Sequence, residues 1–173
     1  MGIVMLFLSG LAFIEIVGYI YHRWIEHGEI MKFIKRNAVL DKILHLHWTH
    51  HAKNYPPENL RPDNPYVTDD NLSWYLPGAV ITVAVFLTAP LVYALPFASG
   101  AWTYGLLIDR LHARFHLKNH FLADKRFFLY LQKIHDIHHM DQTKNFTIVV
   151  PALDILFDTY LDEYPAPYAA ARA

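Results

Sequence analysis

The sequence predicts an all-α integral membrane protein, with about three transmembrane helices and further interfacial and cytoplasmic helices that carry histidine boxes. Three observations predict it. Hydrophobic residues make up 54% of the 173-residue chain and charged residues 18%, and the mean hydropathy is +0.14, a balance unlike that of a soluble domain. Two apolar stretches are long enough to enter a bilayer, whose hydrocarbon takes about 20 helical residues to cross. Ten of the twelve histidines fall into four compact boxes beside those stretches. The length, residues 1–173, suits a single domain.

Ile3 to Tyr21 is apolar apart from Ser9, Glu15 and its glycines and forms the first span. No Lys or Arg precedes it, so it lacks the basic start of a secretory signal and is read as a retained helix. Gly28 to Arg36 mixes apolar and basic residues, as an interfacial helix does. Asp41 to Ala52 is a second short helix. Asn54 to Leu72, rich in Pro, Asn and Asp, is a loop placed to cap a site. Trp74 to about Leu107 is too long for one crossing. The Pro, Ser and Gly within Leu95 to Gly100 predict a turn, hence a hairpin of two helices, and Pro90 is expected to kink the first of them. Asp124 is the expected N-cap of a helix running through Phe127, Phe128, Leu131 and Ile134 to His139. After Pro151, ALDILFDTYL reads as another interfacial helix, and the tail EYPAPYAAARA as loosely ordered.

Charge orients these elements. Lys and Arg are absent before Arg23, number seven from Arg23 to Arg61, vanish until Arg110, and number seven again from Arg110 to Lys144. Both basic segments belong in the cytoplasm by the positive-inside rule. Three crossings then run from an outer N-terminus to an inner C-terminus, and all four boxes meet on the cytoplasmic face. A net charge of −1 gives no reason to expect nucleic acid. Without cysteine, a disulfide scaffold, a thiolate zinc site and an iron–sulfur cluster are excluded.

The boxes are His22-x4-His27, His47-x2-His50-His51, His112-x3-His116 and His135-x2-His138-His139. Two H-x-x-H-H boxes arise by chance in roughly a few chains per thousand at this histidine content, so they carry chemistry. On a helix, positions i, i+3 and i+4 share a face. His47, His50 and His51 therefore span an arc of about 100°, as do His135, His138 and His139. His112 and His116 stack one turn apart. Phe128, Leu131 and Ile134 continue the stripe of the last box and turn its imidazoles to the core. His22 and His27, about 140° apart, share no face of an α-helix: either they serve different metals or the helix unwinds near Gly28.

His45 points about 120° from its nearest box neighbour and is read as a hydrogen-bonded core histidine. His120 continues the stripe of His112 and His116 outside the boxes. Glu15, ionisable within a span, is either functional or paired with a neighbouring helix. Neutral imidazole suits Fe, Zn, Cu or Ni. Ten ligands exceed what one ion accepts, whereas two ions take about five each and keep an open position for oxygen or water. A metal carrier needs a charged path, and these spans have almost no charge beyond Glu15 and Asp109.

The order H-x4-H, H-x2-H-H, H-x3-H, H-x2-H-H resembles that of fungal fatty acid 2-hydroxylases, within the fatty acid hydroxylase/sterol desaturase superfamily of integral-membrane di-iron enzymes. Asn145-Phe146 and the segment Pro151 to Thr159 (PALDILFDT) are similar to the family's ending, N-F/Y-G … P-x-x-D-x-L-F-G-T, and the likeness spans about residues 10–160. Thr147 and Asp158 stand where the family commonly has glycine. In length and in Thr103 to Leu107 (TYGLL), the chain also looks like bacterial carotenoid β-ring hydroxylases, which lack the Asp-x-Leu-Phe ending.

The resemblance implies two Fe ions on the ten boxed histidines, with Zn as a substitute in purified protein, and O2 as co-substrate. It implies a membrane-bound monooxygenase that hydroxylates a C–H bond of a lipid or other apolar substrate; desaturation shares the first step. No separate catalytic acid or base is assigned. With no fused cytochrome b5 domain, electrons are expected from a separate donor of ferredoxin or cytochrome b5 type with its reductase. Short length and the lack of an ER-retention tail point to a bacterial inner membrane.

Overall fold

The computed structural model describes residues 2–65 and 71–172. Its elements are α1 (Gly2–Ile20), a π-helical turn (Tyr21–Glu26), a 3-10 turn (Glu29–Lys32), α2 (Ala38–Thr49), a second π-helical turn (His50–Asn54), α3 (Asn71–Thr88), α4 (Leu91–Phe115), α5 (Arg126–Met140), α6 (Ala152–Leu156) and α7 (Ala166–Arg172). Among the described residues there is no strand, as the apolar periodicity leads one to expect. Gly2–Glu26 and Leu91–Phe115 are long and apolar enough to cross a membrane, while the apolar part of α3, Pro77–Thr88, is shorter.

Helices α1 and α4 meet through small residues. Gly10 is buried on α1, and Ala94, Ala98, Gly100 and Ala101 are buried on α4. A Cβ on Gly10 would lie 2.1 Å from the Phe97 carbonyl oxygen, and one on Gly100 2.1 Å from that of Phe7. Small residues allow the two backbones to approach this closely. Five residues further along α4, Gly105 faces Ile14, so the residue numbers rise together and α1 and α4 run parallel. α3 returns antiparallel to α4: the Trp102 indole donates to Thr82 Oγ1 at 2.8 Å and the Tyr75 hydroxyl to Asp109 Oδ2 at 3.0 Å. Large apolar side chains of all three helices, among them Ile3, Leu8, Val80, Leu87, Leu91 and Leu95, face outward.

The hairpin does not turn where expected. Leu95 to Gly100 lies inside α4, and the chain reverses at Ala89–Pro90. Pro90 has φ −56 and ψ 141, and its carbonyl accepts from the Tyr93 and Ala94 amides at 2.9 and 3.0 Å. It starts α4 instead of kinking α3, a place where a residue without an N–H breaks no helical bond. Gly100 is small because α1 crosses it.

Other boundaries shift by local chemistry. Asn37 caps α2, its side-chain oxygen accepting from the Val39 and Leu40 amides at 3.1 Å. Between Gly28, with φ 74, and Arg36 only the 3-10 turn is helical. Lys125 rather than Asp124 precedes α5, and the Asp124 carboxylate instead accepts from Lys125 Nζ at 3.0 Å. α6 stops at Leu156 because Asp158 takes the left-handed φ of 57. Aspartate is one of the few residues other than glycine that visit this region. The tail is helical over Ala166–Arg172, in keeping with its alanines. A core of Ile108, Leu111, Phe115, Phe128, Leu131 and Ile148 fastens the end of α4 to α5.

Candidate metal centre

All ten boxed histidines converge, five in one group and four in a second, with His139 beside the second. In the first, the ligating nitrogens of His22, His27, His47, His51 and His138 lie within 4.8 Å of one another. In the second, those of His50, His112, His116 and His135 do the same, and His139 Nε2 lies 3.1 Å from His135 Nε2. The groups abut, since the nitrogens of His50, His51 and His139 also fall within 4.8 Å of one another. Between them, His51 and His139 have ring centroids 4.1 Å apart.

The two π-helical turns explain how this is possible. The His27 amide donates to the His22 carbonyl at 3.0 Å, an i to i+5 bond, and the Tyr55 amide does the same to His50 at 2.9 Å. Widening the helix brings residues five apart into register, and His22 and His27 stand with Nε2 atoms 3.2 Å apart. Of the two expected alternatives the second is the one observed: the pair lies in one group, and the helix is underwound into a π-turn over Tyr21–Glu26 and ends at Gly28, which has φ 74. On α5, His135, His138 and His139 are buried along the Phe128–Leu131–Ile134 stripe, as their spacing predicts. His45 is exposed on α2 and packs loosely on Trp48 at 6.2 Å between centroids, not in the core. His120 stays outside both groups; its Nδ1 accepts from the Leu122 amide at 3.2 Å.

A second layer sets the tautomers. His22, His138, His139 and His116 donate from Nδ1 to the carbonyls of Phe146, Lys144, Tyr55 and Leu60, at 2.6, 2.6, 2.8 and 2.9 Å. A neutral imidazole has one N–H, so the Nε2 of each of these four presents a lone pair to the interior. His27 Nε2 then lies 3.2, 3.0 and 2.9 Å from the Nε2 atoms of His22, His138 and His47. His135 Nε2 lies 3.1 Å from those of both His116 and His139. One N–H cannot point at several lone pairs. Protonating the rings is no remedy: burial first, and the charge of neighbouring imidazoles next, hold His27, His47, His51, His135 and His139 well below the ordinary histidine value. His138 is held down to about 4.

A metal cation in each group would satisfy the converging lone pairs. Metal–imidazole bonds of about 2.0–2.1 Å put neighbouring ligand nitrogens about 3.0 Å apart at right angles, which matches the observed spacings. The donor set fits iron or zinc.

Several residues of the centre escape a search for histidine boxes. Glu26 is buried with its Oε2 3.7 Å from His47 Nδ1, and its place directly before His27 was the available signal. Tyr55 and Leu60 supply the carbonyls under the second group, so the loop expected as a cap does reach the site, although residues 66–70 lie outside the described chain. Arg61 Nη2 donates to both oxygens of Asp136 at 2.8 Å and ties that loop to α5. Asn145 and Asp154 anchor the carbonyls under the first group. Glu15 is half-buried and accepts from the Val150 amide at 3.3 Å, a bond to the segment after α5.

A cavity leads away from the histidines between α1, α3 and α4. Ile14, Val17, Ile81, Val85, Phe97, Ala98, Ala101 and Ile108 line it, and His22, His47, His50 and His112 close its inner end beside Tyr75 and Asp109. On α4 its lining runs from Phe97 to His112, about 22 Å along the axis at 1.5 Å per residue. In comparison with known proteins, no family model, no curated protein and no solved structure matches this chain.

Proposed function

We propose that this chain is an integral-membrane, O2-dependent hydroxylase that holds two iron ions on its ten boxed histidines and acts on a C–H bond of a lipid or other apolar substrate. The observation that carries the reading is the apolar cavity ending on two abutting groups of imidazoles. His22, His27, His47, His51 and His138 would hold one ion, and His50, His112, His116, His135 and His139 the other. When bound, the ions supply the redox chemistry that couples O2 reduction to cleavage of an unactivated C–H bond. The chain's own residues do the rest. The aliphatic lining would exclude water and hold the substrate in register, and α4 contributes to it over about 22 Å, a length suited to an apolar chain entering from lipid. Backbone carbonyls fix four of the imidazoles, His22, His116, His138 and His139, with their lone pairs inward.

The outward apolar side chains of α1, α3 and α4 support a membrane location, because an apolar belt this extensive is not left in water by a soluble monomer. The parallel α1 and α4, with α3 antiparallel between them in sequence, support three crossings. The basic segments and the histidines share one end, which the positive-inside rule assigns to the cytoplasm. With no cysteine in the chain for an iron–sulfur cluster, electrons come from a separate carrier.

The test is incubation of the reduced, iron-loaded protein with lipid extract under 18O2. One labelled oxygen in a hydroxylated product is expected. A new double bond without added oxygen would keep the centre and make the enzyme a desaturase. Label arriving only from H2 18O would overturn the reading in favour of metal-activated hydrolysis.

A further inference from the structure

The supports of the two histidine groups are separate, and one residue stands at the root of the first. His138 and His22 donate to the carbonyls of Lys144 and Phe146, on either side of Asn145. Asn145 is buried and left-handed, with φ 53; its side chain donates to Ile134 and Leu161 and accepts from the Leu161 amide. Asp154 is fully buried. Its Oδ1 accepts from the Phe146 amide at 2.8 Å and Thr159 Oγ1 at 2.7 Å, and its Oδ2 accepts from the Thr147 amide at 2.9 Å and from Thr147 Oγ1. Four donors thus fix one carboxylate, and the carboxylate fixes the strap that aims two of the five imidazoles in the first group. The second group rests on another segment. His139 and His116 donate to Tyr55 and Leu60, Tyr55 stacks on His116 at 3.7 Å, and Arg61 holds the segment to Asp136.

We propose that Asp154 is the positioning residue of the first metal site alone, acting through the Phe146 and Lys144 carbonyls, while the Tyr55–Arg61 segment independently positions the second. The inference rests on the dimetal reading above. Asp154→Asn keeps the volume but replaces one acceptor oxygen by an NH2 facing donors, so the strap loses its anchor on one side. Removing an outer partner of a metal-bound histidine typically lowers metal affinity about 10–100-fold. That loss should fall on one ion and spare the other.

The experiment is Zn2+ titration of the metal-stripped full-length protein against a chelator, with elemental analysis. His47→Ala and His112→Ala serve as references that remove the first and second site. Two ions are expected for the wild type and one tight ion for Asp154→Asn. Asp154→Asn should change nothing further in the His47→Ala background and should leave no tight ion in the His112→Ala background. A structural role without site preference would weaken binding equally in both backgrounds, and that result overturns the proposal, as does an Asp154→Asn protein with two wild-type affinities. Where Asp154→Asn loses helix content by circular dichroism, Thr159→Val removes one of the four donors and decides the question by the same pattern. A wild-type protein that binds fewer than two ions contradicts the dimetal reading itself, a distinct outcome.

Discussion

Gly100→Ala tests the helix crossing that shapes the cavity. The new methyl carbon would sit 2.1 Å from the Phe7 carbonyl oxygen and 2.9 Å from its carbon. Comfortable contact begins at about 3.5 Å, so α1 and α4 must part by about 1 Å. Neither obstacle is a side chain that can rotate away. Overpacking of this kind costs about 1–3 kcal/mol, and a backbone clash belongs at the upper end. Alanine returns about 1 kcal/mol of helix propensity relative to glycine, which leaves a net loss of about 2 kcal/mol, or about 30-fold in the folded fraction. Gly105→Ala, one turn on in the same helix, is the control. Its methyl would meet only Ile14 Cγ2, at 4.0 Å, so the propensity gain stands and stability should rise slightly. Thermal unfolding in detergent, followed by circular dichroism, should move in opposite directions for the two variants. Equal shifts, or a Gly100→Ala protein as stable as the wild type, would refute the crossing described here.

Further expectations concern the site and the topology. His47→Ala should lose metal and activity while His45→Ala keeps both, since His47 faces the first group and His45 faces solvent; metal analysis checks it. The metal-free protein should lose stability on acidification. Its histidines titrate near 6.5 when unfolded, whereas His138 is held to about 4 in the fold. Between these values the unfolded chain binds more protons, so stability is full above about pH 6.5 and declines toward pH 4; chemical denaturation across that window reads it. A cysteine at Thr88, at the hairpin turn, should react with an impermeant thiol reagent only from the side opposite the histidines, and labelling from the cytoplasmic side alone would contradict three crossings.

Eight of the ten boxed histidines were legible as sharing faces because i, i+3 and i+4 spacing along α2, α4 and α5 needs no tertiary knowledge. His22 and His27 were named with them, but how they meet was not legible, since only a π-helical turn puts residues five apart on one face, and no residue preference marks such a turn. The hairpin was misplaced for a related reason. Gly100 and Ser99 read as turn residues until α1 is seen to cross there, and Pro90 marks a helix start or a kink depending on where its neighbours pair. The outer layer, meaning Asp154, Asn145, Tyr55 and Arg61, acts through backbone carbonyls distant in sequence, so its roles appear only once the chain is folded.

The central claim is that two ions are each held by imidazole nitrogen alone. Elemental analysis together with X-ray absorption at the metal edge, on protein purified anaerobically with iron, tests it most directly. Two metals per chain are expected, with about five nitrogen neighbours each at about 2.0–2.2 Å and no sulfur. One metal per chain or fewer, or a first shell dominated by oxygen, would contradict it.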